Sequence, residues 1–225
     1  MQTKKTYVDL THTIHEGMTT YPRHWHPIVE ITQVGRHGVE GRETRKICMG
    51  SHTGTHIDAP AHFIEGGKTV DEISLEVLCG PAIMIDFTDL DRNTEISVEL
   101  MESRFPESFP ERVVLRYDWS QYFSTMKFYE DHPYLSSDAA KWLVSKGVKL
   151  LAMDSSMPDS SVQHEECSID SPIHKILLGS DVVLVEYLTN LKEIKAKFFN
   201  LYVLPLKIKC GDGAPVRCIA EIEKV

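Results

Sequence analysis

No stretch of this chain stays apolar for the roughly 20 residues that a membrane helix needs. The first residues, Met1-Gln2-Thr3-Lys4-Lys5-Thr6, have no apolar segment behind them that could act as a secretory signal. Positive charge is in deficit, with 24 Lys and Arg against 33 Asp and Glu, so the basic face that nucleic-acid binding requires is missing. Cysteine is scarce and unpatterned. Cys48, Cys79, Cys167, Cys210 and Cys218 are odd in number and include no C-x-x-C pair, which favours free thiols in a reducing compartment over a disulfide framework. There is no repeat, no low-complexity run and no Gly-Lys-Ser/Thr phosphate loop. A cytoplasmic protein acting on a small molecule, with no nucleic acid and no membrane, is therefore expected. With 42% hydrophobic residues, a chain of 225 can bury a sizeable core, and residues 1–225 are expected to form one domain.

Against these absences one stretch is dense: His52-Thr53-Gly54-Thr55-His56-Ile57-Asp58-Ala59-Pro60-Ala61-His62. Three imidazoles and a carboxylate stand among small residues, a glycine and a proline rather than core-formers. Neutral nitrogen and hard oxygen donors suit a metal ion. His52 and His56 are four apart, so a helical turn would put them on one face. Pro60 disfavours helix at Ala59, so Asp58 and His62 are expected on extended or irregular backbone.

Elsewhere the pattern alternates strands with short helices. Strands are expected at Tyr7–Leu10, Ile28–Val34, Ile47–Gly50, Ala82–Asp86, Val113–Arg116, Val148–Met153 and Val182–Val185, the last delivering Glu186. Gly35 to Arg45 reads as a hairpin or loop. Ser97 is placed to cap a helix to about Ser103, and Ser136 or Ser137 one through Lys146 that stops at Gly147. Pro172 opens a helix carrying His174 that ends at Gly179, while Cys167 to Asp170 reads as loop. Two more strands surround Pro205 and Gly211-Asp212-Gly213, where Asp-Gly marks a hairpin.

The run H-T-G-T-H-x-D-x-P-x-H closely resembles the signature of the metal-dependent cyclase hydrolases, a family that includes bacterial kynurenine formamidases and isatin hydrolases. The resemblance extends to Gly80-Pro81 before an aliphatic strand, His174-x-x-Leu-Leu-Gly, Glu186 twelve residues further on, and Gly211-Asp212-Gly213-Ala214-Pro215-Val216-Arg217. It implies an α/β fold, a single domain with a mixed sheet of swivelling β/β/α type, and a homodimer or homotetramer. It also implies His52, His56, Asp58, His174 and Glu186 as metal ligands. Tyr21, before Pro22, matches the aromatic residue that formamidases present to the substrate ring. The chain departs from the family at Arg23-His24-Trp25-His26-Pro27, where His24 and His26 are expected at the surface. It departs again at Tyr117-Asp118, in place of Thr-Gly, and at Met157-Pro158.

Three histidines and two carboxylates without a thiolate suit zinc, and also manganese, cobalt or iron. Five ligands exceed the three that one open catalytic zinc usually takes, and bridging carboxylates would suit two ions. Such a site makes hydroxide at neutral pH for attack on an amide carbonyl. His62, beside the ligands, is the expected general acid/base, with a role as sixth ligand or ligand support as the alternative. The expected function is hydrolysis of an aryl formamide resembling N-formyl-kynurenine. The alternatives are hydrolysis of a cyclic amide or lactone, as in isatin hydrolases, and a non-catalytic metal-stabilised binding protein.

Overall fold

The computed structural model describes residues 5–161 and 170–223, so the expected loop from Cys167 begins outside the described residues. Strands β1 (Lys5–Asp9), β4 (His56–Asp58), β5 (Cys79–Asp86), β7 (Arg112–Arg116), β9 (Leu150–Met153), β10 (Val183–Glu186), β11 (Phe198–Pro205) and β12 (Gly213–Glu223) form one sheet. Its order is β1-β12-β11-β5-β7-β9-β10-β4, and a further β12–β4 pairing closes it into a barrel-like ring. β5, β7, β9 and β10 run parallel to one another, whereas β1, β4, β11 and β12 pair antiparallel. The sheet is therefore mixed. β2 (Glu30–Gly35) and β3 (Thr44–Cys48) make a separate hairpin around the short helix α1 (His37–Glu40), and β6 (Glu95–Ile96) pairs with β8 (Tyr134–Leu135).

The parallel strands are continuous apolar runs because both of their faces are covered. Ala82, Met84, Val114, Leu150, Ala152, Val183 and Val185 point into the ring, where Leu201, Val203, Ala214 and Val216 meet them. The alternate residues Ile83, Ile85, Val113, Leu115, Leu151, Met153 and Leu184 face outward to a second core. Helix α2 (Leu75–Leu78) leads into β5, and helices α3 (Val98–Arg104), α4 (Ser137–Ser145) and α5 (Pro172–Leu178) cover the outward face with Met101, Leu143, Ile173 and Leu177. Each such side chain contributes about 1.5–3 kcal/mol by leaving water. Ser97 caps α3 and Ser136 caps α4, each hydroxyl accepting from a backbone N–H three residues on.

Two expectations are corrected. His52 and His56 do not share a helical turn: residues 51–54 form turns and bends, and His56 already lies in β4. Pairing on both sides wins, since β10 and β12 each offer a free ladder to this segment. The expected half-buried strand near Ile28–Val34 is β2, yet its hairpin with β3 is mostly exposed because neither face meets a core. No helix among the described residues is long and apolar enough to cross a membrane. Cys48, Cys79, Cys210 and Cys218 are free thiols.

Candidate metal centre

The centre is built on β4. Side chains two apart share a face of a strand, so His56 and Asp58 point together while Ile57 turns into the ring core. β10 sets Glu186 opposite His56, and β12 sets Gly213 opposite Asp58. The turn before β4 is locked by Gly54 at φ +59 and by Thr55, whose hydroxyl donates to the Tyr187 carbonyl and accepts from the His12 N–H. Gly213 is required for a different reason: a Cβ there would meet the Ile57 oxygen at 2.6 Å and His52 Cε1 at 2.8 Å. After Asp58 the chain turns through a short 3-10 segment, Pro60–His62, which carries His62 back towards His52, their rings 3.9 Å apart.

All five expected ligands converge. Asp58 Oδ1 lies 2.7 Å from His52 Nδ1 and 3.3 Å from His56 Nε2, while its Oδ2 faces His174 Nε2 at 3.6 Å. Glu186 Oε2 is 3.5 Å from His56 Nε2, and its Oε1 is 3.2 Å from His174 Nε2. Two overlapping groups result, His52/His56/Asp58 and Asp58/His174/Glu186, each with donor atoms within 4.8 Å of one another. Both carboxylates thus turn their two oxygens to different histidines. Asp58, His56, His174 and Glu186 are all buried.

The electrostatics of these residues suit a cation. Burial alone would lower the His52 imidazole, but the Asp58 carboxylate, joined by Asp212, carries it up to about 10. Burial likewise opposes a proton on His174, yet Asp159, Asp58 and Glu186 raise it well above the ordinary range. Burial, and then the Asp58 charge, pushes Glu186 up, while Asp58 itself is held well below its usual value by the imidazoles despite burial. Two adjacent buried carboxylates resist carrying two charges, and a divalent ion relieves both at once. The buried Glu186 Oε1, with no hydrogen bond of good geometry despite the nearby His174, is a further sign that the set fits a metal.

Two residues not singled out from the sequence complete the centre. Asp159 accepts from the backbone N–H groups of Ile173 and His174, capping α5, and from His174 Nδ1 at 2.6 Å, which fixes that ring with Nε2 inward. Asp212, on the turn before β12, lies 2.8 Å from His52 Nε2 and 3.3 Å from His62 Nδ1. Hydrogen bonds from these two histidines hold its carboxyl far below the usual range. The Gly211-Asp212-Gly213 stretch was visible in sequence, but neither the reach of Asp212 to His62 nor that of Asp159 to His174 was.

A cavity of about 420 Å³ opens over these candidate ligands. Tyr21, His62 and Phe63 line it, so the expected substrate-facing aromatic and acid/base both border the ligand set. His24 is exposed as expected, but His26 is not a surface residue: it lines the cavity, half-buried, 5.3 Å from the Tyr21 ring and 6.1 Å from His52. Burial, reinforced by the neighbouring histidines, lowers it to about 4 and keeps it neutral. The departure at Tyr117-Asp118 does not reach the cavity. Tyr117 is buried in the outer core and Asp118 pairs with Arg116. Met157 does form part of the wall, beside Ser156.

The model of a family described as putative cyclase matches residues 8–160. The chain is 33% identical over 174 residues to a kynurenine formamidase of Bacillus cytotoxicus, which covers 77% of this chain and 78% of that protein. It is 34% identical over 177 residues to cyclase-like protein 1 of Arabidopsis thaliana, covering 75% of this chain and 65% of the longer plant protein. Among solved structures, isatin hydrolase A from Labrenzia aggregata bound to benzyl benzoate superposes with a TM-score of 0.86 at 26% identity, covering 98% and 94% of the two chains. A potential metal-dependent hydrolase with cyclase activity superposes at 0.75, with 26% identity over 99% and 100%. The mixed α/β barrel-like fold is therefore shared along nearly the whole length. The family match over residues 8–160, together with relatives above 30% identity over three-quarters of the sequence, places the ligand-bearing run in a known lineage: this chain belongs to the cyclase family.

Proposed function

We propose that this chain is a metal-dependent hydrolase of C–N amide bonds, with an aryl formamide resembling N-formyl-kynurenine as its substrate. The observation that carries this reading is the paired use of Asp58 and Glu186, whose oxygens each face histidines of both candidate groups. His52, His56 and Asp58 would hold one ion, and Asp58, His174 and Glu186 a second, with zinc the first candidate and manganese the next. When bound, such ions supply Lewis acidity and bring the pKa of a water to about 7. The likeness to a kynurenine formamidase supports the amide as the bond attacked.

The chain's own side chains supply binding and proton transfer. His62 Nδ1 faces Asp212, which leaves Nε2 as the atom that gives a proton to the departing amine. Tyr21 presents a ring on which an aryl group stacks, and Phe63, 4.6 Å from the His62 ring, lines the same cavity. A second reading, opening of a cyclic amide, is favoured by the 0.86 likeness to an isatin hydrolase and by Met157 in the wall. The exposed apolar residues Ile28, Val34, Val39 and Ile47, on and beside the β2–β3 hairpin, support a homodimer or homotetramer. Free thiols support the cytoplasm.

The deciding experiment loads the protein with excess zinc or manganese, desalts it, and measures metal content and turnover on one preparation. Two ions per chain with cleavage of aryl formamides is the expected result. One ion per chain with preferential opening of isatin would favour the second reading, and turnover unaffected by complete removal of metal would overturn both.

A further inference from the structure

The turn that departs from the family supplies the cavity with a cation. Arg23 is the only lysine or arginine among the described residues that line it, and it makes no ion pair with a described carboxylate. Arginines bordering another cavity behave differently: Arg104 is paired with Asp89, and Arg116 with Asp86 and Asp118. The Arg23 N–H donates to the Tyr21 carbonyl at 2.7 Å and the His26 N–H to the Arg23 carbonyl at 3.0 Å, so residues 21–26 form a tied turn rather than a free loop. That turn holds the guanidinium 6.0 Å from the centre of the Tyr21 ring. His26, on the same turn, stands beside both Tyr21 and His52 and so joins it to the ligand set.

We propose that Arg23 is an anion subsite, and that the substrate class is an aryl amide carrying a carboxylate. The inference rests on the amide-hydrolase reading of the same cavity. A ring stacked on Tyr21 with its amide at the ligands brings its remaining substituents to the turn. A guanidinium offers planar paired donors to a carboxylate, and among the described residues no carboxylate already holds this one. Asp170, which also lines the cavity, would repel an anion on that wall, and Arg23 is the cationic side chain that can hold it there.

The test compares formanilide with the 2-, 3- and 4-formamidobenzoates as substrates of the metal-loaded wild type, Arg23→Gln and Arg23→Lys. At least one carboxylate isomer should be preferred to formanilide. That preference should fall about tenfold in Arg23→Gln, mainly in KM, and partly return in Arg23→Lys, while metal content and formanilide turnover stay unchanged. Binding of the unreactive aminobenzoates and of aniline, followed through fluorescence of the neighbouring Trp25, gives a readout independent of turnover. Aminobenzoate binding that weakens in Arg23→Gln, with no amide cleaved by any form, would keep the subsite and sink the amide-hydrolase reading. A carboxylate that sits on the metal ions instead would bind wild type and Arg23→Gln equally, and the inference would be wrong.

Discussion

Asp154 offers a quantitative test of how this fold handles a buried acid. It ends the strand segment that leads to the cavity wall, and it is fully buried. Its Oδ1 accepts from the Tyr117 N–H at 2.8 Å, whereas Oδ2 has no hydrogen-bond partner. Burial pushes the carboxyl from 3.8 up to about 7, with the Tyr117 bond pulling the other way. Between those values the folded chain keeps a proton that the unfolded chain has lost, so stability falls as pH rises through this window and is flat on either side. The gap of about 3 pH units, at about 1.4 kcal/mol each, amounts to about 4 kcal/mol. Asp154→Asn keeps the acceptor for Tyr117 and removes the titration. Urea unfolding of chelator-treated wild type and variant, from about pH 4 to about pH 8, measures the difference in stability while the histidine contributions cancel. The wild type should lose about 4 kcal/mol relative to Asp154→Asn across that range. A difference that stays level with pH would refute the claim that Asp154 is buried in its protonated form.

Three further outcomes concern the centre. His62→Ala should keep its metal while turnover falls by about 10²–10⁴, whereas Glu186→Gln should lose metal and turnover together; elemental analysis and rates on the same preparations decide, and metal loss in His62→Ala would make His62 a ligand or its support. Asp159→Asn should weaken metal affinity by about 10- to 100-fold by freeing the His174 ring, read by chelator competition, and unchanged affinity would leave Asp159 as a helix cap alone. Tyr21→Ala should raise KM for aryl substrates by about 2- to 12-fold, corresponding to about 0.5–1.5 kcal/mol of stacking, with metal content intact; unaltered kinetics would make Tyr21 ordinary packing.

Much of this protein was legible because its chemistry is local in sequence. His52, His56, Asp58 and His62 lie within one run, and the apolar strand ending in Glu186 and the proline-led helix carrying His174 announce themselves by pattern. Ser97 was readable as a cap for the same reason, and the second cap was narrowed to Ser136 or Ser137, since a cap and the N–H it satisfies are three residues apart. Local propensity misled where pairing overrode it. The four-residue spacing of His52 and His56 suggested a helical turn, but two neighbouring strands recruited His56–Asp58 into the ring.

The sequence by itself determined the donor chemistry, the mixed α/β character and the family, because each rests on residue type and short-range spacing. Only the tertiary structure decided which carboxylates serve which rings. Asp212 reaches His52 from 160 residues away because β12 pairs with β4, and Asp159 reaches His174 because it caps the helix that carries it. The same holds for the cavity wall. Tyr117, one of the departures from the family pattern, is buried in the outer core, while His26, expected at the surface, lines the cavity. Which way a loop side chain turns depends on the ring of strands behind it, and no local pattern records that.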